Sequence, residues 1–404
     1  MLVLALDTEN TGAVKNKANP FDKENRCCIL SIVTYDTETK EQKRYTWDIE
    51  YSVNSPYLLH IIEIQSLINK AAWVGLMNAK YDMHWCKRYG INLDDSRIWD
   101  VSVGHFIMDY QQHRYPSLND IAVFHNLPTK LDIVKTQYWE QGLDTDAVPY
   151  DILVEYCEHD TWLTLEIMLR QFKLVKNVSR GMRGTILAAF EDIHNLAEME
   201  WNGFLYDLDL GEEKSIELSN RLAVIDQELI KLFNIPEYVP VNFNSGDQLS
   251  CLLYGGNLKY VEKEEYLFHY KDPKKEPKIK TRPIEREYKC ERIFQPIPKS
   301  ELAKEGYYST NETTLKKIKT NRNNKVIVEL LLERAKIEKL NSTYFIGFPK
   351  LMLEKNWGNV IHSGFNQVVA VSGRLSSNAP NLQNVPPDHK VCFISRFPPI
   401  EEDQ

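Results

Sequence analysis

No stretch of this 404-residue sequence is apolar for long enough to cross a membrane. The N-terminus lacks the basic region that precedes the apolar core of a secretion signal, so its short apolar run reads as a strand. The seven cysteines, Cys27, Cys28, Cys86, Cys157, Cys251, Cys290 and Cys392, are odd in number and form no C-x-x-C pair. That argues against a disulfide frame and against zinc, and predicts reduced thiols in a cytoplasmic protein. A basic excess is missing too: 49 Lys+Arg stand against 57 Asp+Glu, a net charge of −8. The sum looks wrong for a nucleic-acid binder, but the distribution of charge matters more than the sum.

That distribution is uneven. Residues 1–160 hold 15 basic and 24 acidic residues, and the remainder hold 34 and 33. Within 271–292, nine basic residues stand against five acidic ones. An acidic front and a locally basic rear fit metal chemistry in front and a grip on a phosphate backbone behind. A solvated surface explains the charge pattern equally well. Hydrophobic content of 43% and charged content of 26% are ordinary for a globular protein, and the length allows two or three domains.

What is present begins at Leu2-Val3-Leu4-Ala5-Leu6, an apolar run without helical period that breaks into Asp7-Thr8-Glu9. Alternate residues of a strand project to one face, so Asp7 and Glu9 present paired carboxylates. Such a pair repels unless cations lie between, and hard oxygen donors suit Mg²⁺ or Mn²⁺. An isolated strand ending in solvated acids is the commoner case, so the rest of the chain must decide.

Strands are predicted over 29–35 and 43–49, forming an antiparallel meander with the first. A helix follows over 57–72, a short buried strand over 72–77, and a helical segment after Asn78-Ala79-Lys80-Tyr81-Asp82. Asn78 is a natural helix cap, and Asp82 lies one turn inside, near the C-terminal end of a strand. A long helix is predicted over 150–175, with Tyr156 and Asp160 four apart on one face. Beyond about 180 the pattern is mostly helical, apart from a Lys-, Glu-, Pro- and Tyr-rich stretch at 257–300 read as a β-ribbon or mobile insertion.

Together the three acidic segments resemble the DnaQ-like 3′→5′ exonucleases, whose motifs read DxE, N-x-K-[FY]-D and Y-x-x-x-D. They stand here as Asp7-Thr8-Glu9, Asn78-Ala79-Lys80-Tyr81-Asp82 and Tyr156-Cys157-Glu158-His159-Asp160, with Thr11-Gly12 after the first. The Tyr form of the third motif is the variant of proofreading domains in A-family DNA polymerases. Further on, Met199-Glu200 to Asp207, Asn242 to Leu249 and Lys339 to Tyr344 resemble that family's thumb entry and thumb. Ser372-Gly373-Arg374-Leu375-Ser376-Ser377-Asn378-Ala379-Pro380-Asn381-Leu382-Gln383-Asn384-Val385-Pro386 is similar to its palm signature GRLSSxxPNLQNxP.

The resemblance implies an α/β RNase H-like exonuclease domain at 1–180, with a mixed sheet and helices. It implies a helical thumb-like region at 181–345 and the start of an α+β palm at 346–404. It also implies two divalent ions, Mg²⁺ or Mn²⁺, held by Asp7, Glu9, Asp82 and Asp160, with Tyr156 orienting the attacking water. Asn78 and Tyr81 would bind a single-stranded DNA 3′ end. Arg374, Asn381, Gln383 and Asn384, within the gripping segment 371–386, would contact a primer–template duplex. His84 and His159 read as packing or surface residues.

The family's catalytic palm aspartates and its fingers do not occur in these 404 residues. The expectation is therefore a proofreading exonuclease portion of a split, phage-type polymerase. A second polypeptide would carry the remaining palm and fingers, with the complex in the host cytoplasm if the source is viral. The alternatives are a DNA-binding assembly subunit and a stand-alone DnaQ-like nuclease.

Overall fold

The computed structural model describes residues 1–268, 270 and 276–396. Helices of seven residues or more are numbered below. β1 (Leu2–Asn10) is the middle strand of a five-stranded mixed sheet in the order β3-β2-β1-β4-β5. β2 (Cys27–Asp36) and β3 (Gln42–Asp48) extend it antiparallel, with Glu9 opposite Ile29 and Ile29 opposite Asp48. The predicted meander is therefore present. α1 (Tyr57–Lys70) leads to β4 (Val74–Leu76), which runs parallel to β1. α2 (Ala79–Arg88), β5 (Ile98–Asp100), α3 (Val101–Met108) and α4 (Leu118–Phe124) follow.

α5 (Tyr150–Leu174) packs on β1 and β2 and seals one face of the sheet. The approach is close: a Cβ on Gly75 of β4 would lie 2.8 Å from Met168 Sδ. Val3, Leu4, Ala5 and Leu6 are buried on both parities of β1, which is why the strand reads as an unbroken apolar run.

α6 (Arg180–Asn202) and β6 (Phe204–Tyr206) come next. The composition change near residue 180 is not the boundary of a compact unit. Ile186, Phe190, Ile193 and Ala197 of α6 join the core of the sheet, and the unit runs from Met1 to Leu208. The second unit is Asp209–Gly347. It contains most of α7 (Leu208–Leu232), then α8 (Gly246–Tyr254), the strands β7 (Gly256–Phe268) and β8 (Lys278–Cys290), and α9 (Lys325–Leu340). Ser245 caps α8 by accepting the Gln248 amide at 3.3 Å. The helix predicted to run on to Tyr344 instead widens into a π-helix over Asn341–Ile346.

From Phe348 the described residues rejoin the first unit. α10 (Gly347–Glu354) leads to β9 (Val360–Ile361), β10 (Gly364–Asn366), β11 (Ser376–Asn378) and β12 (Phe393–Ile394). β12, β6 and β9 form an antiparallel sheet in that order, and β10 and β11 form a hairpin. The chain thus divides into two units where three consecutive parts were expected. Residues 269 and 271–275 of the expected insertion, and 397–404 at the end of the expected palm segment, lie outside the described residues. All seven cysteines are free and buried, and no described helix is long and apolar enough to cross a membrane.

Candidate active site

Parallel pairing of Leu4 with Val74 and Ala5 with Gly75 brings the C-terminal half of β1 and the residues after β4 to one edge of the sheet. Period-two alternation puts Asp7 and Glu9 on one face of β1. α2 starts directly after β4, and the cap on its first amide is supplied from a distance. Asp100 Oδ2 accepts from the Ala79 amide at 2.7 Å, while Oδ1 accepts from the Ser102 and Val103 amides at 2.8 and 3.0 Å. Asn78, the expected cap, makes no capping bond. It adopts left-handed backbone (φ 57°), and its residue is exposed.

One turn into α2, Asp82 is buried and accepts a hydrogen bond from Thr8 Oγ1 at 2.7 Å. The second acidic segment is thereby fastened to the strand that carries the first. From α5 come Tyr156 and Asp160, both buried and one turn apart on the helix. Between them Cys157 Sγ lies 3.8 Å from Asp7 Oδ2. One ligand atom each from Asp7, Glu9 and Cys157 falls within 4.8 Å of the others. Tyr81 Oη accepts from Asn10 Nδ2 at 3.1 Å.

Four acids in one partly dry place disturb one another. Burial and then the charge of Asp160 push Asp7 up to about 7, while Lys130 pulls it back. Glu9 and Asp82 stand well above the carboxylate range through burial and then the charge of Asp7. Asp160 is raised by burial, against the pull of Lys130. Lys130 Nζ is ion-paired with Asp160 Oδ2 and lies 5.1 Å from the Tyr156 ring centroid. Burial works against its charge, but Asp160, Tyr156, Asp7 and Glu9 outweigh burial and hold it protonated. Tyr156 is raised by burial and by Glu9, so its phenol keeps its proton at neutral pH.

A single lysine cannot offset four carboxylates, and the donor set fits hard divalent cations. Asp160 Oδ1 is buried without a hydrogen-bond partner among the described residues, as an oxygen reserved for a ligand would be. Cys157 does not compete. Burial and then Asp7 drive its thiol far up, so it offers no thiolate.

Residues 1–174 match the family model described as 3′-5′ exonuclease, and residues 289–396 match that of DNA polymerase family A. The chain is thus similar to A-family DNA polymerases over a 3′-5′ exonuclease region and a polymerase region. Its exonuclease domain makes it a 3′–5′ DNA exonuclease. It is 27% identical over 321 residues to DNA polymerase I of Synechocystis sp., covering 77% of this chain and 27% of that protein. To the DNA polymerase of Bacillus phage SP01 it is 26% identical over 326 residues, 76% of this chain and 33% of that one. To DNA polymerase I of Helicobacter pylori J99 it is 22% identical over 379 residues, with coverages of 91% and 33%. The chain spans about a third or less of the length of these relatives.

A solved structure described as the POL domain of Pol1 from M. smegmatis, in complex with DNA primer-template and dNTP, shares the fold. Its TM-score is 0.60 at 16% identity, over 97% of this chain and 55% of that one.

A second group of expected residues lies in the segment around β11. Arg374, Asn381, Gln383 and Asn384 are all exposed, in the turn before β11 and in the single helical turn after it. Asn381 Oδ1 accepts the Gln383 amide at 3.0 Å, and Gln383 Nε2 donates to Leu375 O at 3.0 Å. Both side chains therefore shape the segment as well as facing outward.

Sequence reasoning left Lys130, Cys157, Thr8 and Asp100 without roles. Cys157 lies inside the third motif and Thr8 inside the first, where each reads as a spacer. Lys130 and Asp100 reach the site only through the fold, 30 residues from Asp160 and 21 from Ala79, with no local pattern to mark them.

The raised carboxyls have a consequence for stability. Between about pH 4 and 7 the metal-free folded domain holds a proton on Asp7 that the unfolded chain has released, its ordinary value being 3.8. The folded state then binds more protons than the unfolded one, so stability falls as pH rises through that window. At most about 4 kcal/mol is involved, less for any solvent that reaches Asp7. We expect Asp7→Asn to gain stability over the wild type between pH 4.5 and 7 in the presence of a chelator, read as urea midpoints. A difference that stays flat or shrinks with pH would contradict the burial of this carboxyl.

Proposed function

We propose that this chain proofreads DNA, removing 3′-terminal nucleotides at the acidic site and holding paired primer–template with a separate segment. The carrying observation is the convergence of Asp7, Glu9, Asp82 and Asp160 from three distant segments onto one buried spot. In this reading the four carboxylates hold two divalent ions, Mg²⁺ or Mn²⁺. Such ions, when bound, supply positive charge to the attacking and departing oxygens of a phosphodiester. Tyr156, protonated and one helical turn from Asp160, orients the attacking water and does not remove its proton. Asn78 and Tyr81 flank Asp82 and steady the terminal nucleotide. Lys130, which shares Asp160 and the Tyr156 ring, keeps both side chains in place.

Arg374, Asn381, Gln383 and Asn384 bind the minor groove of paired primer–template. Acceptors there look alike in every base pair, so the contacts sense pairing geometry more than sequence. Nucleotide addition draws on palm and fingers residues outside these 404, on a second polypeptide in this reading.

The test is a comparison of two substrates. Arg374→Ala should weaken duplex primer–template binding about tenfold, within the ~1–3 kcal/mol of a good groove contact, and leave Mg²⁺-dependent digestion of a short single strand unchanged. Adding a polypeptide with the missing palm and fingers should restore templated synthesis. Equal loss of duplex binding and single-strand digestion would defeat the two-site reading.

A further inference from the structure

β7 and β8 form a two-stranded ribbon of 13 residues a strand, about 40 Å long at the rise of a β-strand. Its register runs from Gly256↔Cys290 to Phe268↔Lys278 without a bulge, so the two faces can be read off by parity. One face carries Leu258, Tyr260, Glu262, Glu264, Tyr266 and Phe268 opposite Tyr288, Arg286, Ile284, Arg282, Lys280 and Lys278. At its base this face is anchored: Leu258 is buried, and Tyr260 and Tyr288 pack on the core of their unit. Towards the other end it opens to solvent, with Lys278, Lys280, Arg282 and Arg286 all exposed.

Charge is distributed differently on the two faces. The anchored face has four cations against two carboxylates, and those two are paired, Glu264 with Arg282 and Glu262 with Arg286. Lys278 and Lys280 have no ion-pair partner among the described residues. The opposite face has Lys259, Lys263 and Lys289 against Glu265, Glu285 and Glu287, which cancel. The excess positive charge of the paired ribbon therefore lies on one side.

The aromatic rings on that side are not open platforms. Lys280 Nζ lies 3.4 Å from the Phe268 ring centroid, and the Arg282 guanidinium lies 5.5 Å from that of Tyr266. Cations over the rings leave those ring surfaces less open to an unpaired base, which single-strand binders need. The rings act instead as supports that hold the charges outward.

We propose that this face of the ribbon is a binding surface for the phosphodiester backbone of duplex DNA, an additional grip in the second unit besides segment 371–386. The inference rests on the proposed DNA-handling function. Duplex is favoured over single strand because the face offers a row of cations and rings that already carry them. An acidic protein segment is the competing occupant, and the test tells the two apart.

The experiment compares two double variants of the whole chain on a fluorescein-labelled primer–template duplex, by anisotropy between about 50 and 200 mM KCl. Each neutralised phosphate contact contributes about 0.9 to the slope of log K against log salt. Lys278→Ala/Lys280→Ala should lower that slope by about 2 and weaken binding about tenfold at the lower salt. Lys259→Ala/Lys263→Ala removes the same charge from the opposite face and should leave the slope at the wild-type value. Digestion of a short single strand should be unchanged in both. Equal slopes in the two variants, or a wild-type slope in the first, would overturn the ribbon proposal while leaving the exonuclease reading intact. A wild-type chain that neither binds duplex nor degrades primers would overturn both.

Discussion

Asp7→Ala and Asp160→Ala should each abolish Mg²⁺-dependent removal of 3′ nucleotides, lowering the rate about a thousandfold or more. A loss of about 4 kcal/mol in transition-state stabilisation produces that factor. Each variant deletes a carboxylate from a set of four whose only compensating side chain identified there is Lys130. Folding should survive, and with Asp7 it should improve in the absence of metal, because one source of repulsion for Glu9 and Asp82 disappears. That combination, a dead enzyme that melts no lower, separates a metal-binding acid from a structural one.

Asp160→Ala carries one complication: Lys130 loses its ion-pair partner, so part of any stability gain is cancelled. Tyr156→Phe should be milder, since it removes one hydroxyl and no ligand. Near-normal exonuclease activity in purified Asp7→Ala or Asp160→Ala would end the assignment. Restoration of wild-type rates by raising Mg²⁺ would show that the acids set affinity alone.

The parts of this site that were legible in sequence are those whose geometry is local. Asp7 and Glu9 share a face because strands alternate, and Tyr156 and Asp160 share one because helices repeat every 3.6 residues. Apolar residues 2–6 read as a buried strand because both faces of β1 are covered, which erases alternation. What stayed hidden depends on distant segments meeting. Asn78 looked like a cap by residue type, yet the Ala79 amide is taken by Asp100 across the β4–β5 pair. The change in composition near 180 looked like a boundary, but α6 continues the first core through Ile186, Phe190 and Ile193. Composition reports the exposed side of such a helix as strongly as its buried side. The ribbon at 257–300 was foreseen as a form, but its two unequal faces depend on the register of β7 against β8. A slip of one residue would exchange them.

The largest effect on stability is expected from Glu200, which the exonuclease motifs do not include. Glu200 ends α6 with its carboxylate buried. Oε1 accepts from the Phe365 amide at 2.7 Å and from Lys80 Nζ, and Oε2 lies 2.9 Å from His84 Nε2. Lys80 Nζ also donates to Phe365 O, so β10 is held through both its amide and its carbonyl. Lys80 and His84 lie one turn apart on α2, on either side of Asp82. The cluster therefore joins the helix bearing Asp82 to the β10–β11 hairpin, whose second strand lies in segment 371–386. Burial opposes the charge on Glu200, but His84 and Lys80 outweigh it and hold the carboxyl below its usual range. Its contribution to stability is then present above about pH 4.5 and lost as the pH falls further.

Glu200→Gln keeps the shape and removes the charge, leaving the Lys80 ammonium, itself 12% exposed, without a counter-ion. Breaking one side of such a pair costs about 3–5 kcal/mol, which in a unit of this size is roughly 10 °C in melting temperature. Lys80→Met added to Glu200→Gln removes the stranded charge and should recover a large part of that loss, a coupling that independent sites would not show. Exonuclease activity of Glu200→Gln, assayed well below its melting point, should fall less than tenfold, because Asp82 keeps its bond to Thr8. A Glu200→Gln protein melting within a degree of the wild type would mean the cluster is wet and weak. A double variant as unstable as the single one would mean that the hydrogen bond to β10, and not the ion pair, carries the energy.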